Sequence, residues 1–296
     1  MADPLAEVVS LLQPSASFSK LVSGAGRWRV SRTESGRTFY CVILEGASRL
    51  TVDGHGALEL AAGDFVLTPS AQNFTMTSLD PPPTNIESLP LELRPGVYRI
   101  GDRDGAPDLR MLVGYGVFGS SDAALLVSLL PQLIHVCGAA RLTMLVRLVD
   151  EESRDFRPAR DVILSRLLEV LLIEALRSTA GPASPPGLLR GLGDDRLAIA
   201  LRHIHAQPTR QWTVVQLAKE TALSRSAFFD RFRRAVGVAP MEYLLYWRMA
   251  LAKDLLRRKT VGVAEVAERV GYGSASTFST AFSRHVGLPP SAYAQQ

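Results

Sequence analysis

Five histidines and two cysteines are the side chains of this chain best suited to metal or covalent chemistry. A metal centre needs several such groups at ligand spacing, and a covalent relay needs a histidine beside a nucleophile. His55, His135, His203, His205 and His285 are scattered, and Cys41 and Cys137 form neither a zinc pattern nor a disulfide framework. His203 and His205 lie two apart in a stretch of helical period, so they point to different sides. The sequence therefore predicts no catalytic residue, no metal and no cofactor.

Hydroxyl and guanidinium groups are instead concentrated in a pattern written twice near the end of the chain. The first copy, residues 215–240, reads VQLAKETALSRSAFFDRFRRAVGVAP; the second, residues 264–290, reads AEVAERVGYGSASTFSTAFSRHVGLPP. Ala218 matches Ala267 at an offset of 49, while Phe228 and Phe278, Phe232 and Phe282, and Gly237 and Gly287 match at 50. One residue has been added in the second turn, near Gly273. Leu217 and Ala218, or Val266 and Ala267, give a short helix its buried stripe. Ser224 and Ser274 stand where an N-cap belongs. The helix that follows buries two phenylalanines at i and i+4, and glycine closes it with proline shortly beyond.

A short helix, a tight turn and a second capped helix is the helix-turn-helix pattern, whose second helix enters the DNA major groove. Burying the phenylalanines turns Ser226, Phe229, Asp230 and Arg233 outward in the first copy. The outward set in the second is Ser276, Ser279 and Thr280, with Ala275 at the helix start. Arg225, Arg231, Arg233, Arg234 and Arg284 are candidates for positioning on phosphates. The run MEYLLYWRMALAKDLLRR between the copies reads as one long helix, a rod of about 27 Å. Such a rod spaces two readers for successive grooves on one face of double-stranded DNA.

These stretches resemble the DNA-binding domain of the AraC/XylS family of bacterial transcription regulators over residues 194–296. The features that carry the resemblance are WTVVQLA, LSRSAFFDRFRRAVGVAP, YWRMALAKDLLR and, most specific, VAEVAERVGYGSASTFSTAFSRHVGLPPSAY. The resemblance implies promoter half-sites and RNA polymerase as partners, with activation or repression left open. It places Ser226, Phe229, Asp230, Ala275, Ser276 and Thr280 at positions that face base edges. Asp230 departs from the family habit, where arginine is frequent, and a carboxylate there repels phosphate.

Charge supports this division. Residues 194–296 hold 15 Lys/Arg against 8 Asp/Glu, a balance of +7, while the remaining residues balance at −3. The basic excess is confined to the segment that carries the repeat, as phosphate binding requires. At 296 residues, 47% hydrophobic and 21% charged, the chain is expected to form two globular domains. With no apolar run of membrane-spanning length and no signal-peptide pattern, a cytoplasmic location is expected, away from membranes.

The first eighteen residues predict a short amphipathic helix through Leu5, Val8, Val9 and Leu12. Short β-rich runs follow at 27–33, 37–46, 48–54, 57–70, 97–100 and 109–118 and predict an antiparallel sandwich or barrel. Gly63-Asp64 followed by Pro69 resembles the second motif of cupin barrels. Metal-binding cupins would carry histidines near positions 41 and 74, where this chain has Cys41 and Phe74. The implied fold is α+β: a cupin-like β-barrel with added helices, then an all-α double helix-turn-helix domain. A barrel that keeps its cavity without metal suits a small-molecule effector.

Candidate effector-binding residues are Arg27, Trp28, Arg29, Phe39, Cys41 and Phe74. Phe39, Cys41 and Ile43 alternate onto one strand face, which fits either a ligand wall or plain core packing. Arg27 and Arg29 flank Trp28, which suits an anionic or nucleotide ligand or an ordinary solvated sheet face. Cys41 offers a redox alternative if a neighbouring arginine favours its thiolate. A cupin enzyme fused to a DNA-binding domain is the remaining alternative.

Apolar helices are expected at DAALLVSLLPQLIHV, RLTMLVRLVDEES and RDVILSRLLEVLLIEALRS. The stripe Leu164, Leu167, Leu168, Leu171, Leu172, Ile173 and Leu176 is broad enough for a homodimer interface as well as packing on the barrel. The expected organisation is a sensor barrel over 1–120, a helical dimerisation segment over 121–178, a Gly/Pro-rich linker over 179–193 and the DNA-binding domain over 194–296.

Overall fold

A computed structural model describes residues 3–119, 126–127, 129–154, 157–179 and 186–295. The chain divides into two compact units. One comprises residues 13–119 and 131–179; the other comprises residues 1–12, 120–130 and 180–296. Among the described residues no helix is long and apolar enough to cross a membrane.

The first unit is built on nine strands: β1 (Pro14–Ala25), β2 (Arg29–Glu45), β3 (Ala47–Val52), β4 (Leu58–Ala61), β5 (Phe65–Thr77), β6 (Leu91–Arg94), β7 (Val97–Gly101), β8 (Leu109–Phe118) and β9 (Ile134–Val136). Pairing follows the path β4-β3-β5-β2-β8-β1-β7-β6, with β9 added to β5. The ends of this path do not pair, so the sheet is open where a closed barrel was expected. β4 and β6, four residues each, bond only to their neighbours β3 and β7.

β2 and β5 are the longest strands, and their pairing is irregular. Their register shifts between Thr33 and Arg37 and again between Arg37 and Phe39, as expected of β-bulges. The end of β5 at Phe74–Thr77 then carries β3, and the Phe39–Ile43 end of β2 carries β8. Phe39, Cys41 and Ile43 do alternate into the interior, against Leu50, Phe74, Met76, Met111, Val113 and Tyr115. The opposite face of β2 is buried too: Tyr40 lies beside Leu168, Leu171 and Leu172 of a covering helix.

Two helices cover this unit, α2 (Ala140–Arg154) and α3 (Arg160–Ser178). Most of the predicted leucine stripe is spent here, since Leu164, Leu168, Leu171, Leu172 and Leu176 are all buried. The helix expected over 122–136 is corrected in part. Leu126–Val127 is helical, residues 122–125 and 128 lie outside the described residues, and Ile134–Val136 is a strand. β-branched Ile134 and Val136 flank His135, and the open edge of β5 at Phe65–Leu67 gives the segment a partner.

The second unit holds α1 (Pro4–Leu12), α4 (Leu188–Leu192), α5 (Asp195–Ala206), α6 (Val214–Glu220), α7 (Arg225–Val236), α8 (Pro240–Arg258), α9 (Val263–Arg269), α10 (Ala275–Val286) and α11 (Pro290–Tyr293). The predicted stripe of α1, Leu5, Val8, Val9 and Leu12, is buried, and α1 packs on α5 and α8. α4 falls inside the stretch read as linker.

The sequence repeat is a structural repeat. Leu217, Ala218, Phe228 and Phe232 are buried in the first copy, and Val266, Ala267, Phe278 and Phe282 in the second. Each turn closes with the same bond: Leu223 N–H donates to Ala218 O at 3.0 Å, and Tyr272 N–H to Ala267 O at 2.8 Å. Ala222 and Gly271 hold matching left-handed conformations at φ 52° and 83°. Register is therefore intact through Tyr272, which places the added residue at Gly273.

Candidate nucleic-acid interface

Both candidate recognition helices start and stop as their sequences dictate. Ser224 Oγ accepts from Ala227 N–H at the head of α7, and Ser274 Oγ from Thr277 N–H at the head of α10, each at 3.2 Å. Gly237 and Gly287 close them in the left-handed conformation, at φ 89° and 83°. Paired phenylalanine rings, 5.6 Å apart in α7 and 5.4 Å in α10, fix which face is inward. The outward face follows by geometry.

On α7, Ser226 and Asp230 are exposed and Phe229 is half-buried; on α10, Ser276 and Thr280 are exposed and Ala275 and Ser279 half-buried. Thr280 donates its hydroxyl to Ser276 O at 3.1 Å, so toward a base edge it presents oxygen lone pairs. Arg225, Arg233, Arg234 and Arg284 are exposed. Arg231 is not free in the same way: its Nε donates to Asp194 Oδ2 at 2.5 Å. Asp194 also caps α5, accepting from Arg196 and Leu197 N–H. Burial alone would raise the Asp194 carboxyl, but Arg231 and these N–H groups outweigh it and hold the group below the usual carboxylate range. Arg231 therefore ties the first reader to α5. Asp230 and Arg234 line a concavity with Arg190 and Arg196.

α8 is the rod between the copies, 19 residues and about 28 Å long. Tyr243, Leu244 and Trp247 are buried at its start; Met249, Ala252 and Leu256 join the core of the second reader. Arg248 is buried midway and donates to Pro208 O at 2.7 Å and Arg210 O at 2.9 Å.

The sheet unit carries a narrow cavity, about 40 Å³ and partly open to solvent. Trp28, Phe39 and Phe74 line it as expected, with Met76, Met111 and Tyr115. Cys41 lies in the same core but not on the cavity wall. Burial pushes its thiol up to about 12, which works against a thiolate, so the redox reading of Cys41 is not favoured. Arg27 and Arg29 do not line this cavity with Trp28. Arg27 donates to Pro81 O at 2.8 Å, and Arg29 reaches Pro82 O at 3.5 Å. The charged residues on the cavity wall are Lys20 and Arg32, which sequence reasoning missed. Arg32 lies in a predicted β run, two residues on from Val30 and four from Trp28, whereas Lys20 lies on β1, which no predicted run covers. Elsewhere in this unit, Asp64, His135 and Cys137 meet, so the metal-binding side chains are less scattered than their spacing implied.

A cupin-type sheet domain joined to two capped helix-turn-helix copies on a basic segment defines a DNA-binding transcription regulator. The chain belongs to the AraC-like transcription regulators. Residues 3–181 match the cupin family and residues 217–296 the helix-turn-helix domain family. A putative AraC-like transcription regulator of Streptomyces lividans is 34% identical over 98% of this chain and 97% of its own. The transcriptional regulator AlkR of Acinetobacter baylyi is 29% identical over 99% of both chains. The DNA-binding domain of AdpA, solved in complex with a target DNA, aligns with 34% of this chain and 91% of its own at 31% identity and a TM-score of 0.32.

Proposed function

We propose that this chain acts in the bacterial cytoplasm as a homodimer, without enzymatic activity, reading two half-sites per subunit and engaging RNA polymerase under control of a small-molecule effector. The observation that carries this reading is the matched pair of capped helices, α7 and α10, at either end of α8. In this reading Ser226, Phe229 and Asp230 face base edges in one groove, and Ala275, Ser276, Ser279 and Thr280 in the next. Arg225, Arg233, Arg234 and Arg284 bind phosphates.

The effector reading rests on the chemistry of the cavity. Its wall is almost wholly apolar and aromatic, with Lys20 and Arg32 as its two cations. An anion with an apolar body fits this better than a nucleotide, whose polar base and sugar would lose their hydrogen bonds there. Support for the dimer comes from apolar residues left exposed on the covering helices: Met144 and Leu148, one turn apart on α2, and Val162, Ile163 and Val170 on α3. Ligand binding would shift the population of dimer geometries and hence half-site occupancy.

The test titrates a series of n-alkyl carboxylates, with the matched n-alcohols as controls, against operator binding by the full chain. Carboxylates are expected to change operator affinity, and Lys20→Ala with Arg32→Ala to abolish the change while leaving basal binding intact. Equal effects from the alcohols, or no effect of the double substitution, would refute the assignment of the anion to these cations.

A further inference from the structure

We infer that Asp64, His135 and Cys137 form a binding site for a borderline-soft divalent cation of the zinc class, distinct from the effector cavity and the DNA-reading helices. β5 and β9 bring them together. Phe65 pairs with Val136 and Val66 with His135, so Asp64 stands opposite Cys137 one step further on. His135 and Cys137 are two apart and share a face. Their ligand atoms, with one oxygen of Asp64, all lie within 4.8 Å of one another.

Two of the three separations fit a shared ion. Asp64 Oδ2 is 3.3 Å and Cys137 Sγ 3.7 Å from the same atom, His135 Nε2. One ring nitrogen carries at most one proton and cannot serve both neighbours well. A charge-assisted N–H···O bond would also be shorter, at about 2.7–2.9 Å. A tetrahedral ion with bonds of about 2.0 Å to N and O and about 2.3 Å to S sets its ligand atoms about 3.3 Å (N···O) and about 3.5 Å (N···S) apart. A Cys-His-Asp relay is excluded, because the carboxylate would have to bond the other ring nitrogen.

The surroundings are fixed and open on one side. Gly63 N–H donates to Ile43 O at 2.8 Å, Ile43 N–H to Asp64 O at 3.0 Å and Ala139 N–H to Gly63 O at 2.8 Å, which holds both turns. Asp64 is buried, His135 half-buried and Cys137 exposed, leaving a side for entry and for water as fourth ligand. Thiolate, imidazole and carboxylate together select zinc or cobalt over magnesium or calcium. Binding releases the Cys137 thiol proton to solvent. The site is not at positions 41 and 74, where metal-binding cupins would carry histidines.

The test uses the full chain, reduced and chelator-treated, titrated with cobalt(II) and then zinc(II). One equivalent of cobalt is expected to give a thiolate charge-transfer absorption that zinc displaces. Cys137→Ser should abolish that absorption, and His135→Ala should weaken zinc binding at least ~10-fold. Wild-type protein without the absorption, or Cys137→Ser retaining it, would overturn the inference. Asp64 also accepts from Ala61 N–H in its turn, so Asp64→Asn risks misfolding; the exposed Cys137 keeps the test decisive. Operator binding is measured in parallel, so failure of this site is distinguishable from failure of the DNA-binding reading.

Discussion

Arg231 and Arg233 sit two residues apart on α7, yet replacing them should have opposite signatures. Arg231 Nε is 2.5 Å from Asp194 Oδ2, whose side chain is only 17% exposed. Arg231→Ala leaves that carboxylate without its cation and unpins α7 from α5. Because Arg231 is itself half exposed, the cost to folding is about 1–2 kcal/mol, below that of a fully buried pair. Arg233 is exposed, and its loss should leave stability within about 0.5 kcal/mol. Its effect belongs to the DNA complex. Each neutralised phosphate contributes about 0.9 to the slope of log affinity against log salt. Arg233→Ala should therefore flatten the slope by about 0.9, and the variant should lose about 3.5-fold less affinity than wild type between 50 and 200 mM salt. Fluorescence anisotropy with operator and scrambled duplexes at four salt concentrations, beside thermal melts, reads both quantities. An unchanged slope for Arg233→Ala, or a loss confined to one sequence, would refute the phosphate assignment.

Gly271→Ala should cost about 2 kcal/mol or more, since φ is 83° and a Cβ would meet Thr209 Cα at 2.7 Å; thermal unfolding checks this, with Ala222→Gly nearly neutral as the control. His205 is buried between Glu7 Oε2 (2.8 Å from Nδ1) and Tyr243 Oη (2.7 Å from Nε2). Burial lowers its pKa against the opposing pull of Glu7. A depressed folded value means the unfolded chain binds the proton first. Stability should therefore be fully present above the ordinary value of 6.5 and erode as pH falls from there toward the folded value; melting temperature measured from pH 8 to 5 should fall, and His205→Gln should flatten the fall. In native protein iodoacetamide should modify Cys137 and spare Cys41, as peptide mass spectrometry would show.

The reader helices were legible because helix periodicity, serine caps and glycine stops are local signals, and the repeat supplied each twice. Burial of Phe228, Phe232, Phe278 and Phe282 set the outward faces without further information. The sheet was harder. Alternation placed Phe39 and Phe74 inward, but whether the ends of the sheet pair is something no local pattern states. Arg27 and Arg29 fitted either an anionic ligand or a solvated sheet face, and neither lines the cavity that Trp28 lines. The Asp64–His135–Cys137 cluster depends on pairing residues about seventy positions apart. Its one local trace, histidine and cysteine two apart, becomes meaningful only once that segment is a strand; the leucines before it read as helix.

Hydroxyl-radical footprinting of the operator with Ser226→Ala and Ser276→Ala tests the central claim most directly. Two blocks of protection about 10.5 base pairs apart per subunit are predicted, with each substitution relaxing sequence preference in a different block. A single block per subunit, or both substitutions acting on the same base pairs, would contradict a chain that reads two grooves at once.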